Sequence, residues 1–528
     1  MITHKMRQQF NSRNNKSKIL KFQKSGATAS FITITSFTNA LRRPSFKFFN
    51  GVETTQIASD GITYTGFTSD TAIRDIEMRF YTDTSLNFFR LENDNLYGNI
   101  DFSSLSGTSA NLSLRISGNP KLTGVTNVPP KTSIFYCMNS NLTGNLIFSS
   151  TNIGDFRVSN NINLTGITHT NVTSNIGAYD VSSCNLTGNL NLTPLPNLGG
   201  FFQTSFNPNL TGITHTPSTR NFFLYSANNC NLTGNLDLTS FSGLGGQLIL
   251  YSNPNLTGIT HTSSSRSFSN YLVYNCNLTG NLDLTPLSGL GGTLNLDTNP
   301  NLTGVSHSVS SEIFTGYYIS NCNLIGGHNL SMFSNLGGQI QMSNNINLTG
   351  VTHTASTKNI FFYNIANCNL TGTLDISMFS NFGTANSGDT ISSLRLFNNP
   401  NLIDIKLPIS TKYFKNNGNI ESNATIQLYS CNLDYVDFKP FSGATFLSGV
   451  TIGNPRIVLR DNNMSAGDVN HILDDFKYNV TNNPTGWSNV NLNIGGSNSD
   501  PDSSSGGYDG LAAISFLTGS PYNWTITY

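Results

Sequence analysis

Charge is what this chain has least of. Lys, Arg, Asp and Glu together make up 11% of its 528 residues, and 28 basic residues balance 28 acidic ones. Ordinary soluble domains carry about 25% charged residues, so Ser, Thr, Asn and Gly must supply the polarity here. Only ten charged residues fall between Asn141 and Thr373. Such a surface lacks the basic stripe that nucleic-acid binding requires. It also offers almost none of the paired carboxylates that glycoside hydrolysis uses. It suits exposed fibres or contact with glycans.

Other absences narrow the class further. No apolar run approaches the ~20 residues of a membrane span. The opening segment, MITHKMRQQFNSRNNKSKIL, is basic but lacks the apolar stretch of a signal peptide, so Sec-type export is not expected. There is no G-x-S-x-G, no H-E-x-x-H and no glycine-rich phosphate loop after a strand. No catalytic residue, cofactor or metal site is therefore expected, and the chain reads as a non-enzyme.

What is present is a repeat. Aligned on the leucine of NLTG, one position alternates between two residue types: Cys184, Asn207, Cys230, Asn253, Cys276, Asn299, Cys322, Asn345, Cys368. Each step is 23 residues and the full period is 46. The residues ahead of each mark repeat too. Phe268, Tyr271, Val273, Cys276 and Leu278 stand in the order L-x-x-L-x-L-x-x-N/C-x-L, the leucine-rich-repeat signature. From about residue 86 to 464 the chain resembles a leucine-rich-repeat protein. That resemblance implies a solenoid in which L-x-L is a short strand and the Asn or Cys side chain bonds the backbone of a turn.

The turn residue has a physical reason, since a buried loop must satisfy its N–H and C=O groups internally. The alternation in LTGNLDLT predicts a second strand after the turn. The expected fold is therefore mainly β, a solenoid of about sixteen coils of 22 to 24 residues with few helices. At a strand spacing of ~4.8 Å, sixteen coils span an arc of roughly 75 Å.

Several rows look like chemistry. Cysteines two coils apart stand at roughly 10 Å, beyond the ~7 Å Cα separation of a disulfide, so free buried thiols are expected, with Cys137 at an inward strand position. His169, His215, His261, His307 and His353 share the 46-residue step. Their ~10 Å gaps are too wide for one metal, so a structural or solvated row is expected. Arg220, Arg266, Glu312 and Lys358 read as a solvated rim. The NLT triplets match the glycosylation sequon, but the repeat demands them anyway. The acids of SNSDPDSSSGGYDG, 497 to 510, fit a calcium loop only loosely, with Ser503 where that loop wants Gly. A plain surface loop is the expectation.

Both ends depart from the repeat, as capped solenoids must. Residues 1–50, with ten Lys or Arg and no acid, read as a basic arm that docks onto a neighbouring protein. Residues 51–85 read as a small β cap and 465–528 as an α+β cap. Within the latter, Ser465 N-caps a helix and a second helix covers GLAAISFL. The ending GG…GLAA…L…W-T-I-T resembles the carboxy-terminal unit of leucine-rich-repeat proteins of bacteriophages, especially those of Bacteroidetes, and FKFFNGVE resembles a degenerate PKD-type module.

This resemblance implies a virion structural protein, exposed on the tail, baseplate, fibre or capsid, assembled in the host cytoplasm. Its partners would be other virion proteins, through the basic arm, and a host-surface glycan or protein. A bacterial surface adhesin is the alternative. Outward strand positions, read coil by coil, are Arg157, Asp180, Gln203, Ser226, Ile249, Leu272, Asn295, Tyr318, Gln341 and Asn364. Phe223, Tyr251, Tyr274 and Phe361 flank them. The ligand-binding face is expected there, at Gln203, Phe223, Tyr251, Tyr274, Tyr318, Gln341 and Phe361.

Overall fold

A computed structural model describes residues 17–25, 45–48, 53–54, 73–81, 88–105, 111–383, 392–409, 412–415, 425–447 and 456–528. The chain forms a mainly β solenoid divided into two compact units. The first runs to Leu244 and includes Ser252–Leu256, and the second holds the remainder.

In the first unit, seven parallel strands stack in chain order into one long sheet: Phe88–Arg90, Leu112–Arg115, Thr132–Tyr136, Asp155–Arg157, Ile176–Asp180, Leu198–Gln203 and Phe222–Ser226. The second face is built from strands that pair two by two. Thr143–Phe148 pairs with Asn163–His169, and Thr187–Asn191 with Asn209–Thr214. Between the faces lies a core in which Phe135, Phe156, Tyr179 and Phe202 stack in sequence at centroid spacings of 5.7, 5.2 and 5.7 Å. These four rings are fully buried, each stabilising the unit by roughly 1.5–3 kcal/mol.

The second unit repeats the plan. Its long sheet runs through Gly246–Ile249, Phe268–Leu272, Gly292–Asn295, Phe314–Tyr318, Leu336–Gln341, Ile360–Asn364, Ser393–Arg395, Ile426–Gln427 and Arg456–Val458. The second face pairs Thr279–Leu284 with Asn301–His307, Gly326–Asn329 with Leu348–Thr352, and Thr371–Asp375 with Asn401–Lys406. Coil length is less uniform than the central repeat suggests. After Cys368 the turn residues Asn399, Cys431 and Asn462 follow at steps of 31, 32 and 31 residues.

Each coil reverses through a residue in the left-handed region, placed just before the mark. Asn fills it at 139, 160, 229, 275, 321, 344, 367 and 398, as expected for the non-glycine residue that tolerates this region best. Phe206 and Thr298, at φ 59° and 58°, bear strain of about 1–3 kcal/mol each. The mark residue then anchors the turn. Asn299 Oδ1 accepts Leu278 N at 3.1 Å, and its Nδ2 donates to Val273 O and Leu296 O at 2.8 Å each. Asn207 and Asn345 repeat this set. The cysteines donate one weak bond back to the preceding coil, as Cys322 Sγ does to Leu296 O at 3.3 Å. All seven thiols are free and buried, and burial pushes those of Cys137, Cys184, Cys322, Cys368 and Cys431 up to about 12.

The amino-terminal boundary differs from the expectation. Ser17–Ser25, assigned from sequence to the basic arm, is a strand that pairs antiparallel with Ile73–Tyr81, and its Gln23 and Lys24 pair with Tyr97 and Leu96. Ser45–Phe48, overlapping the PKD-like stretch, joins the same sheet. The run of lysines masks a strand whose Leu20 is buried while Lys21 is exposed. Residues 1–16, 26–44 and 49–50 of the arm, and 51–52, 55–72 and 82–85 of the expected β cap, lie outside the described residues.

At the other end, helix α1 (Ala466–Asn482) starts at the expected capping box: Ser465 Oγ accepts Asp468 N, and the Asp468 carboxylate accepts Ser465 N. Val469, Ile472, Leu473 and Phe476 form its buried face. Helix α2 (Gly510–Thr518) is capped by Asp509. Asn491–Asn493 and Thr525–Thr527 extend the long sheet. The 497–510 loop is tied to α1 by Asn470 Nδ2, which donates to Asp502 Oδ1 at 2.8 Å. Asp502 also accepts from the Ser505 hydroxyl and from the backbone N–H groups of Ser504 and Ser505, and the Ser505 hydroxyl first, then these N–H groups, hold its carboxyl well below the usual range.

The two kinds of turn residue are not energetically equal. Asn299→Ala takes the amide partner from Leu278 N and Val273 O, at about 1–3 kcal/mol each, and leaves Leu296 O with the weak Cys322 Sγ bond, whereas Cys322→Ala removes one weak donor. Urea unfolding should show Asn299→Ala losing on the order of 3–6 kcal/mol and Cys322→Ala about 1 kcal/mol or less. All seven thiols should react with a thiol reagent only after unfolding. Equal losses for the two variants would remove the asparagine as the anchor.

Candidate functional site

The outward face of the second unit's long sheet is set by register. Ile249, Leu272, Asn295, Tyr318, Gln341 and Asn364 are consecutive partners down the sheet. Two residues earlier on each strand runs a parallel column, Gln247, Asn270, Thr293, Gly316, Gln339 and Phe362. Two residues later the backbone ladder continues, because Leu250 N donates to Leu272 O, Val273 N to Asn295 O and Leu296 N to Tyr318 O. That continuation carries Tyr251, Tyr274, Asp297 and Ser320.

Three aromatic rings and one carboxylate stand out in these columns. Tyr251 and Tyr274 stack face to face, with centroids 4.6 Å apart and planes 9° from parallel. Tyr318 folds flat along its own strand: a Cβ on Gly316 would stand 2.3 Å from the Tyr318 ring, so the glycine makes room for the ring. Asp297 Oδ1 accepts Ser320 N at 2.5 Å, and Asp297 N donates to Asn295 Oδ1 at 2.9 Å. Burial raises the Asp297 carboxyl to about 6. The arrangement offers ring faces, amides and a single acceptor carboxylate.

Of the seven residues expected to bind ligand, Gln203 and Phe223 belong to the first unit. There Gln203 lies in the outward column between Asp180 and Ser226, and exposed Phe223 packs on exposed Phe201 at 5.8 Å. Tyr251, Tyr274, Tyr318 and Gln341 lie on the second unit's face as described. Phe361 does not join a column. The register advances from Gly338↔Ile360 to Gln339↔Phe362, so Phe361 is an extra residue at a bulge, and Phe362 faces outward with Arg395 5.1 Å over its ring.

Of the structural and solvated rows expected for the histidines, the structure shows the structural one, with the rings in the interior. Each Nε2 meets the hydroxyl of the tyrosine ten residues on: His169 with Tyr179, His215 with Tyr225 and His261 with Tyr271 at 2.9 Å, and His307 with Tyr317 and His353 with Tyr363 at 2.7 Å. All five Nδ1 atoms are buried without a partner among the described residues. Burial lowers His169, His215 and His353 to about 3 and His261 to about 4, and takes His307 well down. The tyrosines share the 46-residue period, and that signal lies in the sequence. The supposed rim is likewise half-buried, its stems crossing glycines: a Cβ on Gly199, Gly291 or Gly337 would stand 2.5–2.7 Å from the Cβ of Arg220, Glu312 or Lys358. Arg266 stands 2.6 Å in the same way from Gly245.

These groups fix the sign of the pH dependence. A neutral histidine with a depressed folded pKa stabilises fully above its unfolded value near 6.5 and loses that contribution as pH falls toward 3–4. Asp297, with a raised folded pKa, acts oppositely: acidification from about 6 toward its unfolded 3.8 favours the fold. These five rings, with His328 lowered to about 4 beside them, outweigh one carboxyl, so urea unfolding should show stability falling from pH 7 to pH 4. Asp297→Asn should be more stable than wild type at pH 7 and should steepen the fall. A flat or rising wild-type profile would contradict the buried row.

No family model matches the chain, and no curated protein matches it. Among solved structures, the chain is similar to the functional domain of InlJ from Listeria monocytogenes, described as including a cysteine ladder. The two are 14% identical, over 81% of this chain and 76% of that one, with a TM-score of 0.27.

Proposed function

We propose that this protein is a non-enzymatic attachment protein that meets an uncharged surface glycan through the outward face of its long sheet. The observation that carries this reading is the patch around Tyr251, Tyr274 and Tyr318, with Asn295, Gln341 and Asp297 between and beside the rings. Sugar C–H faces stack on rings, and sugar hydroxyls pair with amides and carboxylates. A flat site of this kind binds weakly alone and gains strength from many copies. Hydrolysis of a glycan needs two carboxylates, and in the three columns from Gln247 to Asn364 Asp297 stands alone.

Placement on a bacteriophage particle belongs to the same proposal. It rests on the resemblance of the carboxy-terminal unit and on free thiols, which fit assembly in a reducing cytoplasm. Docking to neighbouring virion proteins would fall to the basic segment ahead of the first strand.

Changing Tyr251, Tyr274 and Tyr318 together to Ser tests the face. Aromatic contacts contribute about 0.5–1.5 kcal/mol each, so binding of bead-displayed protein to an array of uncharged bacterial glycans should fall at least about tenfold. The urea midpoint should change little. Undiminished binding by the folded variant would move the contact elsewhere. For the placement, an antibody to residues 269–308 should decorate intact particles in negative-stain images, and bare particles would overturn it.

A further inference from the structure

One coil in the second unit breaks the repeat at three neighbouring positions. Where the preceding pair reads Thr279-Gly280-Asn281-Leu282, the chain 46 residues on reads Ile325-Gly326-Gly327-His328. The regular threonine donates to the coil before it, as Thr279 Oγ1 does to Thr257 O and Thr371 Oγ1 to Thr349 O, both at 3.2 Å. Ile325 has no such group and is 61% exposed. The regular asparagine lies over a glycine of the next strand and bonds beyond it: Asn281 Nδ2 donates to Ser306 Oγ at 2.9 Å, and its Oδ1 sits 2.8 Å from where a Cβ on Gly304 would be. Gly327 removes that amide, and a Cβ on Gly350 meets nothing within 4 Å. His328 stands where Leu282 is core, and it too is buried.

These changes accompany a cavity of about 440 Å³ between the paired strands Thr279–Leu284/Asn301–His307 and Gly326–Asn329/Leu348–Thr352. Asn281, Ser306 and Asn329 give it polar walls, and Leu324 and Met332 give it apolar ones. No Asp, Glu, Lys or Arg lines it. His307 and His328 complete the lining, and behind them Tyr317 Oη lies 2.7 Å from both Nε2 atoms. The His353 hydroxyl contact, like the three in the coils before this one, joins one ring to one tyrosine; only here do two rings share one.

That sharing constrains the protons. Burial lowers both imidazoles, His328 to about 4, so both are neutral at pH 7. A phenol has one proton, which it can give to one Nε2 alone. The other ring must donate its own Nε2–H to Oη. The two histidines are therefore opposite tautomers, one carrying its second hydrogen-bonding site as Nδ1–H and the other as a bare Nδ1. Among the described residues His328 Nδ1 has no hydrogen-bond partner. In one arrangement it is an acceptor, in the other a donor, and a hydroxyl, which both donates and accepts, satisfies either.

We propose that this cavity is a binding site for an uncharged, hydroxyl-bearing molecule of monosaccharide size, with His328 Nδ1 as the atom that reads it. The absence of charge from the lining disfavours an ionic ligand, because burying an unpaired charge is costly. The mixed walls suit a sugar ring, with hydroxyls toward the amides and C–H groups toward Leu324 and Met332. A cavity of this volume falls within the usual 300–1,000 Å³ of ligand sites. The site is separate from the long-sheet face and does not rest on the reading given to that face.

The test uses the full chain labelled with ¹⁵N in histidine, with glucose, N-acetylglucosamine and zinc chloride as separate probes. Long-range ¹H–¹⁵N correlation at pH 7 should show opposite tautomers for His307 and His328. One of the two sugars should shift His328 Nδ1 saturably. The double variant Gly327→Asn/His328→Leu restores the residues that the neighbouring coil pair already carries. It should melt no lower than wild type and bind the sugar at least about tenfold more weakly, read by saturation transfer to the sugar. His328→Leu alone provides the same reading should the double variant misfold. The Tyr251/Tyr274/Tyr318→Ser variant should keep the His328 shift, which separates this site from the long-sheet face. Like tautomers at the two rings, a response to zinc alone, no saturable shift with either sugar, or undiminished binding by the restored coil would each overturn the proposal.

Discussion

A backbone that turns inside protein must find partners for every N–H and C=O it takes out of water, and this fold is organised around that demand. The reversal of each coil places several such groups beside a core of leucines and aromatic rings, where an unpaired one costs about 1–3 kcal/mol. Asn207, Asn299 and Asn345 meet the demand with an amide that accepts from one coil and donates to two. A second, outer set of amides follows from it. Asn209, Asn301 and Asn347 each donate to the Oδ1 of an asparagine 24 residues earlier, at 2.7–2.8 Å. Asparagine is abundant because its short amide offers two N–H donors and an acceptor oxygen at once, enough to bond three backbone groups along a stack.

The same economy explains how little charge the chain needs. Polar groups are spent on backbone and on one another, and even the interior keeps polar pairs: a neutral histidine's Nε2 and a tyrosine hydroxyl, 2.7–2.9 Å apart. Such pairs link the second face to the long sheet through the core. The outward surface is left to amides, hydroxyls and rings, which is the chemistry from which the attachment reading is built.

The repeat made much of this legible. The 46-residue period gave the turn positions and the inward and outward faces of the strands, and the Ser465/Asp468 capping pattern gave the helix start, because each follows from local spacing. What escaped was non-local or irregular. Phe361 and Phe362 cannot be told apart without the bulge that shifts register at Gly338/Gln339. The spacing of the histidines left a structural and a solvated row open, because their tyrosine partners lie ten residues away on the opposite face, although both recur every 46 residues. Ser17–Ser25 was hidden by its lysines, since a strand at a cap needs only one buried side. The departure from CNLTG to CNLIG at Cys322 was visible, yet its meaning required the geometry of His307, Tyr317 and His328.

The alternation of cysteine and asparagine has a mechanical corollary. In a cysteine coil the amide two residues past the mark, such as Leu278 N, is held by the asparagine of the coil that follows. In an asparagine coil the corresponding amide closes on its own turn, as Leu302 N does on Asn299 O. The second-face strands pair within the same couples, Thr279–Leu284 with Asn301–His307. Cohesion is thus greater inside each cysteine–asparagine couple than between couples, and the solenoid is grained. Within either unit, a stretching force would meet seams after the asparagine coils, and the chain would pay out in lengths of two coils at a time.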